Sequence, residues 1–427
     1  MRRTRRTRLI TAALAVGMGL PLGLLSAAPT SAHGHGHGRS HGGPMAFQPI
    51  EGSAYDRMSA DWSEPLVAPQ GFRQKLVADE TVLDIYGGGT DDLTDMNTVN
   101  ETGRQAGRYL YRTHEVSSNG AVSVVDLKTG EAKVIAQRAD WRRLDGVRWT
   151  PWGSLLVTEE TNGGRVFELF LDRRDRTEVT RIEERRQLGI LRHEGIDVLP
   201  DGTVFVIDEL NGGSVYKFVP TRRGDLSEGR LHALKINGLS DAAQKWNPET
   251  YGEKTGAFTW VPLDKEQVLS DADAASDAVN ATEFGRPEDV EVIGDTLYVA
   301  NTSENRVVAV NLRKNVLSAF VQAGVNAPVE DRAAGITGFK SPDNLAQGPD
   351  GRLWIVEDNY ASDIWVAGRD RDRDGAADST ELFASLKDPG AEVSGIYFGK
   401  DPKTLFFSVQ HPDKPLADGT WKITRRR

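Results

Sequence analysis

The sequence contains no cysteine among its 427 residues. Disulfide bonds are therefore excluded, and so is a zinc site built from thiolates. A chain of this length can instead bury a sizeable core, and its hydrophobic content of 38% is ordinary for a soluble protein. No stretch predicts a long amphipathic helix, so β-strands are expected to supply most of that core.

Acidic residues outnumber basic residues in the chain, 62 to 52. The formal net charge is −10, and this value already includes the five arginines at positions 2, 3, 5, 6 and 8. A chain this acidic is a poor partner for the phosphate backbone of nucleic acids and is better suited to cations. We therefore expect no nucleic-acid partner.

Several catalytic motifs are also missing. The sequence has no Gly-x-Ser-x-Gly elbow, no Gly-rich phosphate loop ending in Lys-Ser or Lys-Thr, and no His-Glu-x-x-His. Four of its eight histidines lie between residues 33 and 41. Of the other four, His114, His193 and His411 each stand beside an acidic position discussed below, which favours a site over three unrelated surface histidines.

The first 32 residues have the layout of a secretory signal peptide: a basic start, an apolar stretch and a small-residue end. A membrane anchor is the alternative, but three glycines and a proline interrupt the apolar stretch. Arg5-Arg6 loosely resembles a twin-arginine signal, and nothing separates that route from the general one. We expect a secreted protein without a stable membrane anchor.

The segment after the signal peptide is rich in His and Gly. Residues 33–46 carry too little apolar surface to fold and predict a disordered tail. Residues 47–427 are expected to form a single domain, in which residues 47–80 and Trp421–Arg427 share one sheet.

A repeated three-strand pattern runs along the rest of the chain. Its central strand recurs as a short apolar run at intervals of about 50 residues, with one interval about twice as long. Repeats of this length with three or four strands predict an all-β fold, a six-bladed β-propeller. The long interval predicts an insertion between the third and fourth recognisable repeats, from about Arg222 to Thr282. The central strands begin at Arg108, Ser154, Thr203, Thr296, Arg352 and Thr404.

A carboxylate opens the strand before five of these six central strands. In a propeller the first residues of the innermost strands converge at one end of a central channel. Five carboxylates facing one another must take up protons or bind cations. For the first repeat, Asp95 or the pair Asp91-Asp92 holds the corresponding position. The five are Asp145, Glu194, Glu288, Asp343 and Glu392.

A second polar set follows the central strands. Its oxygen donors favour calcium or magnesium, with manganese or ferric iron as alternatives. The competing interpretation is that these residues cap turns and face water. The positions are His114-Glu115, Glu159-Glu160, Asp208-Glu209, Asn301, Glu357-Asp358 and Gln410-His411.

A separate calcium motif spans Asp370–Glu381. Acidic side chains stand at positions 1, 3, 5, 9 and 12, with Gly375 at position 6, which matches a complete EF-hand loop. The flanking segments predict strands or a short helix, so a structural calcium clip is expected rather than a sensor. The acidic residues are Asp370, Asp372, Asp374, Asp378 and Glu381.

Several motifs, taken in chain order from about residue 80 to 415, resemble the PhoX-type alkaline phosphatases. The resemblance implies a secreted six-bladed propeller in which calcium and iron ions at the channel mouth hydrolyse phosphomonoesters. It also implies metal ligands at Glu159 or Glu160, Glu194 and Glu288, with Asp208 as a further one. The motifs are His114-Glu115, Thr150-Pro-Trp-Gly with Glu159-Glu160, His193-Glu194, Arg286-Pro-Glu288, Ser341-Pro-Asp-Asn344 and Ser408-Val-Gln-His-Pro412.

One departure from the family concerns the metals. The resemblance implies a cysteine thiolate shared by two irons just before the Thr-Pro-Trp-Gly motif, and this chain has none. Counting back places that position near Asp145. A calcium-based or altered centre is left open, and so is a relative that has lost the activity.

The leading hypothesis is metal-assisted hydrolysis of small-molecule phosphomonoesters by a monomer, with calcium, iron or another divalent or trivalent metal as cofactor. One alternative is a calcium-dependent lactonase or other ester hydrolase that uses a single ion. The other is a non-catalytic secreted propeller that binds a ligand and carries structural calcium. Catalytic roles are expected for Asp145, Glu194, Glu288 and His193, and substrate contacts for Arg148 and Arg286.

Overall fold

Short β-strands form nearly all of the regular structure. The computed structural model describes residues 43–54, 62–359 and 361–426, and these belong to one compact unit. The predicted signal peptide and residues 33–42 of the predicted tail lie outside the described residues. Met45 and Ala46 are buried, so the tail prediction is wrong at its end, and the packed structure begins before Phe47.

The described residues contain 28 strands, numbered here in chain order. They are β1 (Leu66–Val67), β2 (Phe72–Asp79), β3 (Thr94–Val99), β4 (Tyr109–His114), β5 (Ala121–Asp126), β6 (Ala132–Gln137), β7 (Leu144–Trp149), β8 (Ser154–Glu159), β9 (Val166–Leu171), β10 (Val179–Glu184), β11 (Ile196–Val198), β12 (Val204–Ile207), β13 (Asn211–Gly213), β14 (Val215–Arg222), β15 (Asp225–Ile236), β16 (Gly256–Pro262), β17 (Phe284–Gly285), β18 (Pro287–Ile293), β19 (Thr296–Asn301), β20 (Arg306–Asn311), β21 (Val316–Gln322), β22 (Pro342–Gln347), β23 (Leu353–Glu357), β24 (Asp363–Ala367), β25 (Thr380–Leu386), β26 (Glu392–Phe398), β27 (Thr404–Gln410) and β28 (Gly419–Arg425).

Helices are few and short. Each α-helix begins after a Ser or Asp whose side chain accepts a hydrogen bond from the first turn, which is the usual N-cap. Within the described residues, none is long or apolar enough to cross a lipid bilayer. They are α1 (Asp241–Gln244), α2 (Lys265–Val268) and α3 (Ala272–Asp277), with 3-10 turns at Arg186–Leu188, Tyr251–Glu253, Thr302–Glu304 and Arg332–Ala334.

The sheets are antiparallel and follow one another along the chain in a propeller-like arrangement. Two have four consecutive strands, β3 to β6 and β7 to β10. The sheet of β22 to β25 gains β1 at its outer edge, and the sheet of β26 to β28 gains β2. Phe72 of β2 pairs with Arg425 of β28, so the two ends of the domain share one sheet, as the sequence predicted.

A nine-stranded sheet carries the long insertion. Its two halves are β11-β12-β14-β15-β16 and β21-β20-β19-β18, joined only where Gly256 and Ala257 pair with β21. The predicted insertion from Arg222 to Thr282 is therefore too long at its start. Its first strand, β15, pairs along β14 and completes the third repeat, while β16 and the three helices are the added part.

The core lies between neighbouring sheets. Because each sheet is covered on both faces, all six residues of β8 are buried, and the central strands appear in the sequence as continuous apolar runs. Trp354 packs edge-on against Phe383, with ring centroids 4.6 Å apart, and against Phe398, at 5.1 Å. Burial of each such side chain contributes about 1.5–3 kcal/mol.

The innermost strands of successive repeats are hydrogen-bonded to one another. Gly195 N donates to Glu288 O at 2.9 Å, and Leu345 N donates to Asp289 Oδ2 at 2.8 Å. Glycine permits the closest approach, because a Cβ on Gly146 would clash with the Glu194 carbonyl. The starts of these strands are thereby held close together.

Candidate functional site

Six acidic residues from the starts of the inner strands β3, β7, β11, β18, β22 and β26 line one cavity of about 210 Å³. We call it the carboxylate cavity. The structure brings together all five residues that the sequence predicted to converge, and Asp95 supplies the sixth. All but Glu392 are buried. The six are Asp95, Asp145, Glu194, Glu288, Asp343 and Glu392.

A β-bulge aims four of these side chains at the cavity. In the pairing of β7 with β8, Asp145 and Gly146 together face a single residue of β8. The same two-for-one register occurs at Asp95, Glu288 and Asp343. The extra residue bends the strand and interrupts the alternation of side chains between the two faces of the sheet. A side chain can therefore point in a new direction, which is why bulges recur beside active sites.

The residue two positions before the carboxylate has a left-handed backbone in four of the sheets. Its φ is 46° at Leu93, 46° at Arg143, 48° at Arg286 and 45° at Ser341. This conformation costs a non-glycine residue about 1–2 kcal/mol, and such strain tends to be kept at functional sites.

The carbonyl at this position organises a second layer of side chains at the cavity mouth. At five inner strands it accepts a hydrogen bond of 2.8–3.0 Å from the N–H of a residue just after the central strand. Among the pairs predicted from the sequence, the second members Glu115, Glu160 and Asp358 line the cavity, while the first member of each of these pairs is buried and does not. The N–H donors are Glu115, Glu160, Glu209, Thr302 and Asp358.

Two predicted metal ligands do not reach the carboxylate cavity. Glu159 is buried and lies 2.7 Å from the Arg165 guanidinium. Asp208 accepts a hydrogen bond from Arg192 N at 2.8 Å and is buried next to the insertion. Glu159 ends β8 with its side chain buried, and Glu160 is the acidic residue of that pair that lines the cavity. Neither Asp208 nor Glu209 lines it.

The structure places His193, for which the sequence predicted a catalytic role, in the protein interior. Its ring is fully buried, and Nε2 lies 3.0 Å from the Gly189 carbonyl. Burial lowers the pKa of His193 to about 4, so the ring is neutral near pH 7. It does not line the carboxylate cavity, and its neighbour Glu194 does.

Arg148, predicted to contact substrate, lies in a different cavity of about 260 Å³. It stands three residues beyond Asp145 on β7, which carries it away from the carboxylates. Its guanidinium lies 2.9 Å from Asp197 and 3.0 Å from Glu291. The substrate role predicted for Arg148 is therefore not supported, whereas Arg286 does line the carboxylate cavity.

Three arginines bridge the carboxylates on one side of the mouth. Arg286, for example, lies 2.7 Å from Glu209 and 2.9 Å from Glu288. The side chains along the resulting arc alternate between negative and positive charge. Each inner member forms ion pairs with both of its neighbours, and each end member forms one. In order, the arc is Glu115, Arg143, Glu160, Arg192, Glu209, Arg286 and Glu288.

The arc covers only part of the mouth. Arg143, Arg192 and Arg286 all stand two residues before a cavity carboxylate, at the starts of three successive inner strands. The same position at the other three inner strands holds Leu93, Ser341 or Gly390. The positive charge is therefore concentrated on one side of the cavity.

Burial and mutual repulsion make the carboxylates reluctant to ionise without a cation. Burial, and then repulsion from neighbouring carboxylates, raises the pKa values of Asp145 and Glu194 well above their ordinary values. Burial and a hydrogen bond with Glu160 raise the pKa of Glu115 to about 11. Burial also acts on Glu160, but hydrogen bonds with Glu115, Glu209 and Arg192 hold its pKa at about 2.

The donor set fits hard cations. Oδ1 of Asp145 is buried and has no hydrogen-bond partner among the described residues. Sites made only of oxygen donors suit calcium, magnesium or ferric iron. Two groups of three carboxylates have oxygens within 4.8 Å of one another: Asp95, Glu115 and Asp145, and Glu194, Glu288 and Asp343.

The predicted calcium loop is only partly assembled. Carboxylate oxygens of Asp370, Asp372 and Asp374 lie within 4.8 Å of one another, and Gly375 has the φ of 94° that the sharp turn needs. The last two predicted ligands have other partners. Asp378 lies 3.8 Å from Arg371, and Glu381 lies 3.3 Å from Arg352.

Sequence reasoning missed Arg143, Arg192 and Asn344. Arg143 and Asn344 line the carboxylate cavity, and Arg192 joins Glu160 to Glu209. A signal for the arginines was present, because both share the register of Arg286, two residues before an inner carboxylate.

The comparisons with known proteins agree with this architecture. The family described as alkaline phosphatase PhoX matches residues 164–413, more than half of the chain. The structure of Pseudomonas fluorescens PhoX in complex with vanadate, a transition state analogue, superposes with a TM-score of 0.62 at 17% identity. The superposition covers 87% of this chain and 98% of that one, and it shows a shared fold.

A second solved structure is less similar. XC5397 from Xanthomonas campestris, a gluconolactonase, gives a TM-score of 0.47 at 14% identity, covering 84% of this chain and 95% of that one. No curated protein sequence matches the chain.

Proposed function

The chain belongs to the PhoX alkaline phosphatase family, whose members are phosphoric monoester hydrolases, and from this premise we propose that the carboxylate cavity is its active site. The proposal is that cations held there make it a metal-dependent phosphatase acting on small-molecule phosphomonoesters. The observation that carries it is the convergence of six carboxylates in one buried cavity. A cluster of this density is stable at neutral pH only with protons or cations among its oxygens.

The two groups of three carboxylates are the proposed ligands. Asp95, Glu115 and Asp145 would hold one position, and the group formed by Glu194, Glu288 and Asp343 another, with Glu160 and Glu392 beside them. All donors are oxygen, which favours calcium and admits ferric iron. When bound, the cations would attract the phosphoryl oxygens and lower the pKa of the attacking water.

The arginines of the arc are proposed to orient the phosphoryl group. Arg286 and Arg143 line the cavity, and a guanidinium presents paired N–H donors to phosphate oxygens. Because Glu209 and Glu288 hold Arg286 in place, it enters the reaction already positioned. Partial burial strengthens its attraction for a phosphoryl oxygen.

A phosphatase assay on the metal-loaded protein tests this function. We expect hydrolysis of 4-nitrophenyl phosphate that stops with a chelator and returns when calcium or iron is added back. Glu194→Gln should lower kcat/KM at least about 100-fold and reduce bound metal. Glu131→Gln, on an exposed turn, is the matched control and should change neither.

One outcome would refute the proposed function, and another would favour the alternative function. Absence of metal-dependent turnover with any common phosphomonoester would refute the phosphatase function of this chain. Turnover of a lactone or carboxylic ester, with a single ion per chain, would support the alternative of a calcium-dependent ester hydrolase.

The remaining assignments are also proposals. Dividing the nine-stranded sheet at its two-residue junction gives six blades, and the six inner carboxylates fit that count. We propose that residues 1–32 are a signal peptide and that the protein is a secreted monomer. The segment Asp370–Glu381 is proposed as a structural calcium site centred on its first three acidic residues.

A further inference from the structure

A second cavity opens beside the carboxylate cavity. It has a volume of about 610 Å³, and we call it the outer cavity. Four residues line both cavities: Leu93, Glu115, Arg143 and His411. The cavity that holds Arg148 shares no lining residue with the carboxylate cavity. The outer cavity is therefore contiguous with the proposed site of chemistry.

An aromatic side chain forms part of the outer wall. Tyr86 is half-buried, and its hydroxyl donates to the Asn119 carbonyl at 3.1 Å. Its backbone N–H donates to Asp92 at 3.3 Å. These two hydrogen bonds fix the ring between the loop before β3 and the loop after β4. A fixed aromatic ring offers a flat face for stacking.

Leu93 stands where the two cavities meet. At three other inner strands the same position holds an arginine of the arc, so the charged rim is interrupted at Leu93. Its backbone is left-handed, with φ of 46°, yet the residue is neither Gly nor Asn. Because Leu93 is apolar, its strand contributes no positively charged side chain to the passage between the two cavities.

The charge of the outer cavity disfavours anions. Arg143 is already paired with Glu115 and Glu160. Asp91, which also lines the cavity, makes no ion pair or hydrogen bond with the described residues. Its unpaired carboxylate would repel a second negative group on the substrate and tolerate an uncharged one.

We infer that the outer cavity binds the alcohol part of the phosphoester and selects uncharged alcohols that carry a ring. The inference rests on the proposed function, because it places the phosphoryl group in the carboxylate cavity. The ester oxygen then lies near Leu93, and the organic group extends toward the ring of Tyr86. Hydroxyls of Ser117 and Ser118, which also line the cavity, offer hydrogen bonds to it.

Substrate selectivity tests this inference. The measurement is kcat/KM of the metal-loaded protein for 1-naphthyl phosphate and for ethyl phosphate. Relative to the unmodified protein, Tyr86→Ala should lower the naphthyl-to-ethyl ratio about 3- to 10-fold, since a stacked ring contributes about 0.5–1.5 kcal/mol. Tyr251→Ala, a half-buried tyrosine outside both cavities, is the control and should leave the ratio unchanged.

A charge variant gives an independent result. Asp91→Asn should raise kcat/KM for 4-carboxyphenyl phosphate relative to phenyl phosphate, by about 2- to 5-fold at low salt. The inference would be overturned if Tyr86→Ala lowered kcat/KM equally for naphthyl and ethyl phosphates. It would also be overturned if the substrate ratios of kcat/KM were unchanged in both Tyr86→Ala and Asp91→Asn.

A binding readout separates this inference from the proposed function. If the unmodified protein hydrolyses no phosphoester, the proposed function fails. Saturation-transfer NMR with uncharged 1-naphthol then tests the outer cavity directly. Binding that is lost in Tyr86→Ala and kept in Tyr251→Ala would support an aromatic ligand site. No binding to the unmodified protein would overturn it.

Discussion

Leu93 and Arg143 have the same left-handed φ of 46° and occupy the same position in neighbouring sheets, two residues before Asp95 and Asp145. Both carbonyls accept the N–H that follows the central strand. The two positions thus have the same backbone conformation, but the side chain is apolar at Leu93 and positively charged at Arg143. This repetition lets the fold hold a fixed ring of carboxylates while single residues set the charge of each side of the mouth.

Removing one central carboxylate should separate stability from activity. Without metal, Asp145→Asn should be more stable than the unmodified protein near pH 8, because one buried repelling charge is gone. With metal it should lose bound cation and at least about 10-fold in kcat/KM. Urea unfolding with and without chelator, together with elemental analysis, measures both. Equal destabilisation in both conditions would argue that Asp145 has a purely structural role.

The metal-free protein should lose stability as pH rises. The folded pKa values of Asp145, Glu194 and Asp343 are raised above the unfolded values near 4. The folded state therefore holds more protons than the unfolded state above pH 4, so the free energy of unfolding falls as pH increases. Melting temperatures at pH 7, 8 and 9 should decline in chelator and level out with calcium. A flat profile in chelator would contradict this.

His193 should produce the opposite trend in acid. Its folded pKa of about 4 lies below the unfolded value near 6.5. Between these values the unfolded state binds more protons, so stability falls as pH drops from about 6.5 to 4. In His193→Gln the loss of stability from pH 7 to 5 should be about 2 kcal/mol smaller. The pH profile of kcat should not change, and a shifted profile would restore a catalytic role.

Close packing of the inner strands predicts a strong effect at Gly146. A Cβ in Gly146→Ala would clash with the Glu194 carbonyl, so neighbouring inner strands must move apart. We expect about 1–3 kcal/mol of destabilisation and weaker metal binding. Gly252→Ala is the control, because its Cβ would lie 3.8 Å from Gln322 Nε2. Equal melting temperatures for the two variants would contradict the close approach.

The calcium loop should affect stability but leave chemistry intact. The double variant Asp372→Asn with Asp374→Asn removes two of the three converging carboxylates. We expect one fewer bound calcium per chain, a lower melting temperature in calcium, and an unchanged kcat with 4-nitrophenyl phosphate. A loss of kcat equal to that of Glu194→Gln would show that the loop belongs to the active site.

The pairs that follow the central strands show where sequence reasoning stopped. The pattern located Glu159-Glu160 and Asp208-Glu209 at the ends of buried strands, and that placement is correct. It did not decide which of these residues reach the cavity: Glu160 does, and the other three do not. That choice depends on the contact that buries the last residue of the strand, here the ion pair of Glu159 with Arg165 just before β9, and the spacing of apolar and acidic positions does not record such a contact.

The sequence by itself determined the strands, their repeat and the register of the carboxylates, because apolar runs and acidic positions recur at a nearly constant spacing. Asp145 and Glu288 were therefore predictable as members of one cluster, and both line the carboxylate cavity. Only the tertiary structure decided which way nearby side chains point. The bulge at Asp145 shifts the alternation of β7, and Arg148, three residues on, lies in another cavity. Bulges and contacts between sheets arise from closing the whole domain, so short-range sequence pattern cannot specify them.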